Sequence, residues 1–77
     1  MDTFAVAFYN PAAGLQLFVY EECDGVLDAV LTFLEDEKIL DGMEGVGTTG
    51  DVQTVLDDIS DWLWDNMESE LCVEKAS

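Results

Sequence analysis

Acidic side chains outnumber basic ones by eighteen to two in this chain, yet 49% of its 77 residues are apolar. The two facts pull in opposite directions. The apolar fraction is ample for a hydrophobic core and too high for a disordered acidic tail, so the chain is expected to fold. A net charge of −16, with Lys38 and Lys75 as the only cations and no arginine or histidine, repels itself and disfavours the compact state. Such a balance is no stability device. It points to a role for the charge in meeting a partner. The length allows one small domain spanning residues 1–77, of a size that buries only about 60% of its unfolded surface.

The sign of the charge excludes several roles. Two lysines cannot form the basic patch that tracks a phosphate backbone, and anionic lipid surfaces repel an acidic chain. No apolar run approaches the roughly 18 residues of a membrane span. The N-terminus carries Asp2 and only a short apolar stretch, unlike a secretory signal, so a cytoplasmic location is the expectation. Cys23 and Cys72 have no CxxC spacing and are expected to be free thiols, mostly buried.

The first twenty residues predict a β-hairpin. Thr3–Tyr9 and Leu15–Tyr20 are rich in β-branched and aromatic types, and Asn10-Pro11-Ala12-Ala13-Gly14 between them is a turn. Alternation places Phe4, Val6 and Phe8 on one face, with Leu15, Leu17 and Val19 as their core-facing counterparts. The opposite face would then carry Ala5, Ala7, Tyr9, Phe18 and Tyr20.

A first helix, capped by Asp24, gathers Val26, Leu27, Val30, Phe33 and Leu34 on one side and ends near Asp36. Residues 38–50 contain four glycines and predict a loop, with a short strand possible in principle at Lys38-Ile39-Leu40. A second helix, capped by Thr49 or Asp51, carries Val52, Val55, Leu56, Ile59, Trp62, Leu63 and Met67 on one continuous apolar face and ends near Ser69. Leu71–Glu74 closes the chain as a strand. The fold class is therefore α+β: a small antiparallel sheet packed with two amphipathic helices.

The second helix also carries the most informative polar pattern. Asp57, Asp58, Asp61, Asp65 and Glu68 share one arc of the helical wheel about 100° wide, with no lysine or arginine among them. Like charges three or four residues apart destabilise a helix by a few tenths of a kcal/mol per pair. A helix built only to fold would intersperse lysine. Asp24, Asp28, Glu35 and Asp36 on the first helix, with Asp41 and Glu44 after it, supply a second acidic row. Trp64 lies at the edge of the acidic arc, where two readings stand equally: an anchor for a partner, because tryptophan is enriched at interface hot spots, or packing against the loop. Duplex DNA carries one charge per about 1.7 Å of axis, so sixteen charges correspond to roughly 27 Å of duplex.

Other chemistry finds no support. Without histidine there is no ordinary triad or proton shuttle, and no carboxylate pair stands out for acid–base work. Ile39 and Leu40 fall where a calcium loop needs oxygen ligands. No catalytic residue, metal or other cofactor is expected.

In size and charge the whole chain, and locally the run Asp57-Asp58-Ile59-Ser60-Asp61-Trp62-Leu63-Trp64-Asp65, resembles the small acidic DNA-mimic proteins of phages and mobile elements, including anti-CRISPR and anti-restriction proteins. These share a character rather than a fold or a signature, so the resemblance carries over a mode of action and no residue roles. It implies an inhibitor whose carboxylates occupy the DNA-binding channel or the PAM-reading site of a CRISPR–Cas effector, where arginine and lysine normally meet DNA. Two rival readings stand beside it: an immunity protein or antitoxin that neutralises a basic nuclease, and an acidic domain adapted to a high-salt cytoplasm with no mimicry.

Overall fold

The hairpin is fixed by its turn. In a computed structural model of the protein, which describes residues 2–43 and 50–76, strand β1 (Asp2–Asn10) runs into β2 (Gly14–Cys23) through Pro11-Ala12-Ala13. The Ala13 N–H donates to the Asn10 carbonyl at 3.2 Å, and the Asn10 side-chain oxygen accepts from the Ala12 N–H at 2.8 Å. Pro11 presets the turn's φ, and Gly14 supplies the left-handed residue, φ 77°, that returns the chain to extended backbone.

That turn pairs Asn10 with Gly14 and so sets the register of the whole ladder: Phe8 opposite Gln16, Val6 opposite Phe18, Phe4 opposite Tyr20. Cross-strand partners share a face. Phe18 and Tyr20, not Leu15, Leu17 and Val19, therefore join Phe4, Val6 and Phe8 on the core side. The core-facing assignment of Leu15, Leu17 and Val19 is corrected: they are 67%, 71% and 64% exposed on the outer face, beside Ala5, Ala7 and Tyr9. Hydropathy alone favours the more apolar triplet, but a one-residue difference in register exchanges the faces, and turn geometry decides register.

Near the end of β2 the pairing shifts by one residue between Phe4–Tyr20 and Asp2–Cys23. Glu21 and Glu22 together face Thr3, and Glu22 adopts a left-handed φ of 58°. This β-bulge reverses the alternation and turns Cys23 inward, where it packs with Phe4 and Ala29.

Helix α1 (Val26–Asp36) follows. Its N-cap is Gly25 with no side-chain cap, which corrects the expectation that Asp24 caps it. The local bond runs the other way, from the Asp24 N–H to an Asp28 carboxylate oxygen at 2.9 Å. Ala29, Val30, Phe33 and Leu34 are buried. The anticipated strand at Lys38-Ile39-Leu40 is instead a bend leading into a 3-10 turn, Leu40–Gly42. Glu44 and Thr49 lie outside the described residues.

Helix α2 (Val52–Met67) is capped by Asp51, whose carboxylate accepts from the Thr54 N–H at 3.2 Å. Val55, Ile59 and Leu63 are buried, and Leu56, Trp62 and Met67 are half-buried. Val52 does not reach the core. It stands in the first turn, 42% exposed. Strand β3 (Glu70–Lys75) then pairs antiparallel with β1, giving a three-stranded sheet in the order β2-β1-β3.

Both helices cover one face of this sheet. Val6, Phe8, Val30, Phe33, Leu34, Met43, Val55, Ile59 and Leu63 form one continuous core. Phe33 sits at its centre, its ring 5.1 Å from those of both Phe8 and Phe18. Burying such a side chain contributes about 1.5–3 kcal/mol. The fully buried Ser69 hydroxyl accepts from the Asn10 amide at 3.1 Å and donates to the Met67 carbonyl at 3.0 Å, which ties the hairpin turn to the α2–β3 junction.

That junction carries a local cost. Glu68, just past α2, holds a left-handed φ of 51° so that its own N–H and that of Ser69 reach the carbonyls of Trp64 and Leu63. A residue with a Cβ pays for this conformation, and glycine does not. Glu68→Gly is expected to stabilise the protein by about 1 kcal/mol, a rise of about 4–8 °C in Tm on thermal denaturation. A lowered midpoint would mean that the carboxylate itself contributes to the junction.

Candidate functional site

The apolar stripe of α2 faces the core, so the opposite arc must face solvent, and that arc is acidic. Asp57, Asp58, Asp61 and Asp65 are all exposed along it, as is Trp64 at 57%. At 1.5 Å of rise per residue the four aspartates span about 12 Å of helix axis, in unequal steps of about 1.5, 4.5 and 6 Å that average about 4 Å. A DNA strand advances about 3.4 Å per phosphate. Glu68 is exposed as well but lies beyond the last helical residue, so the arc assigned to five carboxylates holds four on the helix and a fifth on the turn that follows it.

Nothing among the described residues neutralises this face. Their one ion pair joins Lys75 to Asp2 at 3.5 Å, on the sheet. Asp57 accepts a hydrogen bond from the Gln53 amide at 3.0 Å, within the same helix.

The placement of the charges along both helices is also unfavourable. A helix C-terminus carries a partial negative charge and favours cations, with each mismatched carboxylate costing about 0.3–1 kcal/mol at an exposed site. The last turn of α1 nevertheless holds Glu35 and Asp36, with Glu37 next, and the last turn of α2 holds Asp65, with Glu68 just past its end at Met67. No basic residue occupies either last turn. The chain thus places anions where its own backbone repels them.

The remaining predicted residues divide by position. Asp24 and Asp28 sit together at the start of α1, joined by the hydrogen bond described above, whereas Glu35 and Asp36 lie at its far end. All four are exposed, and so is Asp41 in the 3-10 turn. Asp36 with Glu37 at the far end of α1, and Asp24 with Asp28 at its start, act on groups of the sheet. Burial first, then Asp36 and Glu37, push the Tyr20 phenol above its ordinary value. Burial first, then Asp28 and Asp24, push the Cys23 thiol up.

Sequence reasoning missed two features. Glu37, which closes α1 through its N–H to the Phe33 carbonyl at 3.0 Å, belongs to the acidic end of that helix. Leu15, Leu17 and Val19 form an exposed apolar row on the far side of the sheet, and only the turn-set register could have revealed it. On that outer face a shallow open groove of about 300 Å³ is lined by Ala7, Tyr9, Leu15, Glu70, Leu71 and Cys72. It is not part of the acidic arc. Among the described residues no three acidic, cysteine or histidine side chains converge to hold a metal ion, and no helix is long and apolar enough to cross a membrane.

The chain matches no protein-family model, no curated protein and no solved structure. The site must therefore be read from its own chemistry: a row of exposed carboxylates on one helix face with one exposed indole at its border.

The two cysteines differ where the sequence treats them alike. Cys23 is buried with a raised pKa, while Cys72 is exposed on the outer face of β3, contrary to the expectation of two mostly buried thiols. A raised pKa leaves less thiolate at neutral pH. Iodoacetamide at pH 7.5 is expected to modify Cys72 first and Cys23 only after denaturation, read by peptide mass mapping. Equal rates at the two positions would contradict the inward turn at the bulge.

Proposed function

We propose that this chain is a DNA-mimicking inhibitor that binds the basic, PAM-recognising DNA-binding surface of a CRISPR–Cas effector and blocks binding of target DNA. It works by occupancy inside the host cytoplasm, with no catalytic step and no cofactor. The observation that carries this reading is the exposed row Asp57, Asp58, Asp61 and Asp65 on α2, anions whose average axial step is close to that of phosphates and which pair with no cation among the described residues. The carboxylates at the C-terminal ends of both helices support it, because they cost folding energy and are explained by a cationic partner that neutralises them. Trp64 at the border of the row supplies an apolar contact of the kind that concentrates binding energy.

Such binding is electrostatically steered, so association is fast and affinity falls steeply with salt. The test is a competition assay in which purified effector complexes and a labelled target duplex meet rising concentrations of this protein at low and moderate salt. Displacement that weakens as salt rises is expected. Asp58→Lys combined with Asp61→Lys replaces two anions with two cations and is expected to raise the concentration needed for half-displacement at least ten-fold. The fold should be unchanged or stabilised by a few tenths of a kcal/mol per relieved like-charge pair. Full inhibition by that double variant would move the contact to the acidic ends of α1. Undisturbed duplex binding across several effectors, with neutralisation of a basic nuclease instead, would replace the reading by that of an immunity protein.

A further inference from the structure

Charge is distributed very unevenly along this chain. Every acidic residue except Asp2 lies at or beyond Glu21, and residues 3–20 contain no charged side chain at all. Those residues form nearly the whole β-hairpin. The outer face of the hairpin is left bare: Leu15, Leu17 and Val19 are all about two-thirds exposed, and Tyr9 and the small Ala5 and Ala7 lie beside them.

Among the described residues the same strand is an edge of the sheet, since β2 has β1 on one side and no strand on the other. Proteins usually blunt such an edge with charge, proline, bulges or shortness. The opposite edge follows that rule, because β3 is six residues long and carries Glu70, Glu74 and Lys75. β2 does not. From Gly14 to Tyr20 it has neither charge nor proline, and it is interrupted only by the turn before Gly14 and the bulge at Glu21–Glu22.

We infer that β2 is the dimerisation edge of this protein, pairing antiparallel with β2 of a second copy around a twofold axis at Leu17. The boundaries of the free segment select that register. The uninterrupted stretch runs from Gly14 to Tyr20, and its midpoint is Leu17. Antiparallel pairing about the midpoint sets Leu17 against its twin, Leu15 against Val19, Gln16 against Phe18 and Gly14 against Tyr20. Every such pair is uncharged. Moving the axis one residue to Phe18 would set Leu15 against Glu21 and lose that match. Twofold antiparallel pairing is self-complementary by construction. It joins the two three-stranded sheets into one of six strands and continues the exposed apolar row from one subunit into the next.

The absence of charge along the edge argues against a basic partner there and for a second copy of the same uncharged segment. A basic partner drawn to the helices finds no carboxylate along Gly14–Tyr20 to pair with. Edge pairing through β2 leaves the acidic β3 edges at the two far ends of the joined sheet, but α1 packs on β1 and β2 and so lies beside its twin across the axis, where the two acidic helices repel each other. The contact is smaller than the roughly 800 Å² per partner of a standard interface, so the dimer depends on concentration.

This inference is independent of the proposed function, and salt separates the two. Screening shrinks from a Debye length of about 30 Å at 0.01 M to about 3 Å at 1 M, so the mutual repulsion of two acidic chains fades as salt rises. The dimer is expected to tighten with salt, whereas binding to a basic surface weakens. The experiment is sedimentation equilibrium from about 10 μM to 1 mM protein at low and high salt. The mass should rise from 8.5 kDa towards twice that value, at lower protein concentration when salt is high.

Leu17→Lys is expected to give a monomer with an unchanged circular dichroism spectrum. The pair Leu15→Thr and Val19→Thr keeps strand-forming residues at both positions and should weaken association at least ten-fold. Asp58→Lys with Asp61→Lys should leave the dimer intact or tighter. A wild-type protein that stays monomeric at 1 mM in both salts, or a Leu17→Lys variant that still dimerises, overturns the inference. Either result leaves the inhibitor reading to be judged by its own competition assay.

Discussion

The contact of the Phe33 ring with Phe8 and Phe18 is the interaction on which the rest of the structure depends. It brings together one residue from each of the two hairpin strands and one from α1, so it fixes which side of the hairpin the helix covers. Aromatic pairs at such separations add about 0.5–1.5 kcal/mol beyond simple burial, which is a large fraction of what a small domain has to spare. Once the hairpin's inner face is committed to Phe33, the outer face has no helix left to cover it. The bare row of Leu15, Leu17 and Val19 follows from that commitment.

Much of this was legible in the sequence because the patterns concerned are local. The strand composition of Thr3–Tyr9 and Leu15–Tyr20, the Asn-Pro…Gly turn, the end of α1 at Asp36, the Asp51 cap and the apolar face of α2 all rest on spacings of a few residues. The face of β2 was not legible from hydropathy. Leu15, Leu17 and Val19 form the better apolar alternation, whereas the turn's Asn10–Gly14 pairing puts Phe18 and Tyr20 inside. The inward turn of Cys23 was hidden for a related reason, because a bulge at Glu21–Glu22 breaks the period of two that the alternation assumes. At the acidic face the four aspartates of α2 follow directly from helical periodicity. Glu68 shared their arc on a wheel but not in the molecule, because the helix ends one residue earlier in a left-handed turn.

The molecule separates its tasks in space. Its apolar core is built by the inner sheet face and one side of each helix, and almost none of its charge touches that core. Most of the acidic residues sit on the solvent side of the helices, at their ends, and on β3, with Glu21 and Glu22 at the bulge that ends β2. A chain of net charge −16 tolerates this load because the carboxylates remain hydrated and repel one another through water rather than through the protein interior. The core therefore needs no buried ion pair, and among the described residues no buried side-chain polar atom lacks a partner.

The strand order has a consequence for assembly of the fold itself. β1 occupies the middle of the sheet, but its two neighbours come from opposite ends of the described chain: β2 is made immediately after it, and β3 after both helices. The hairpin can form within microseconds of emerging, since its contacts are local. The other side of β1 has to wait, because Phe4 pairs with Lys75 and Val6 with Val73 across almost the entire sequence. Until then the central strand is itself an open edge, and the growing chain carries an incomplete two-stranded sheet. Completion of the domain therefore waits until β3 has been made and closes on β1.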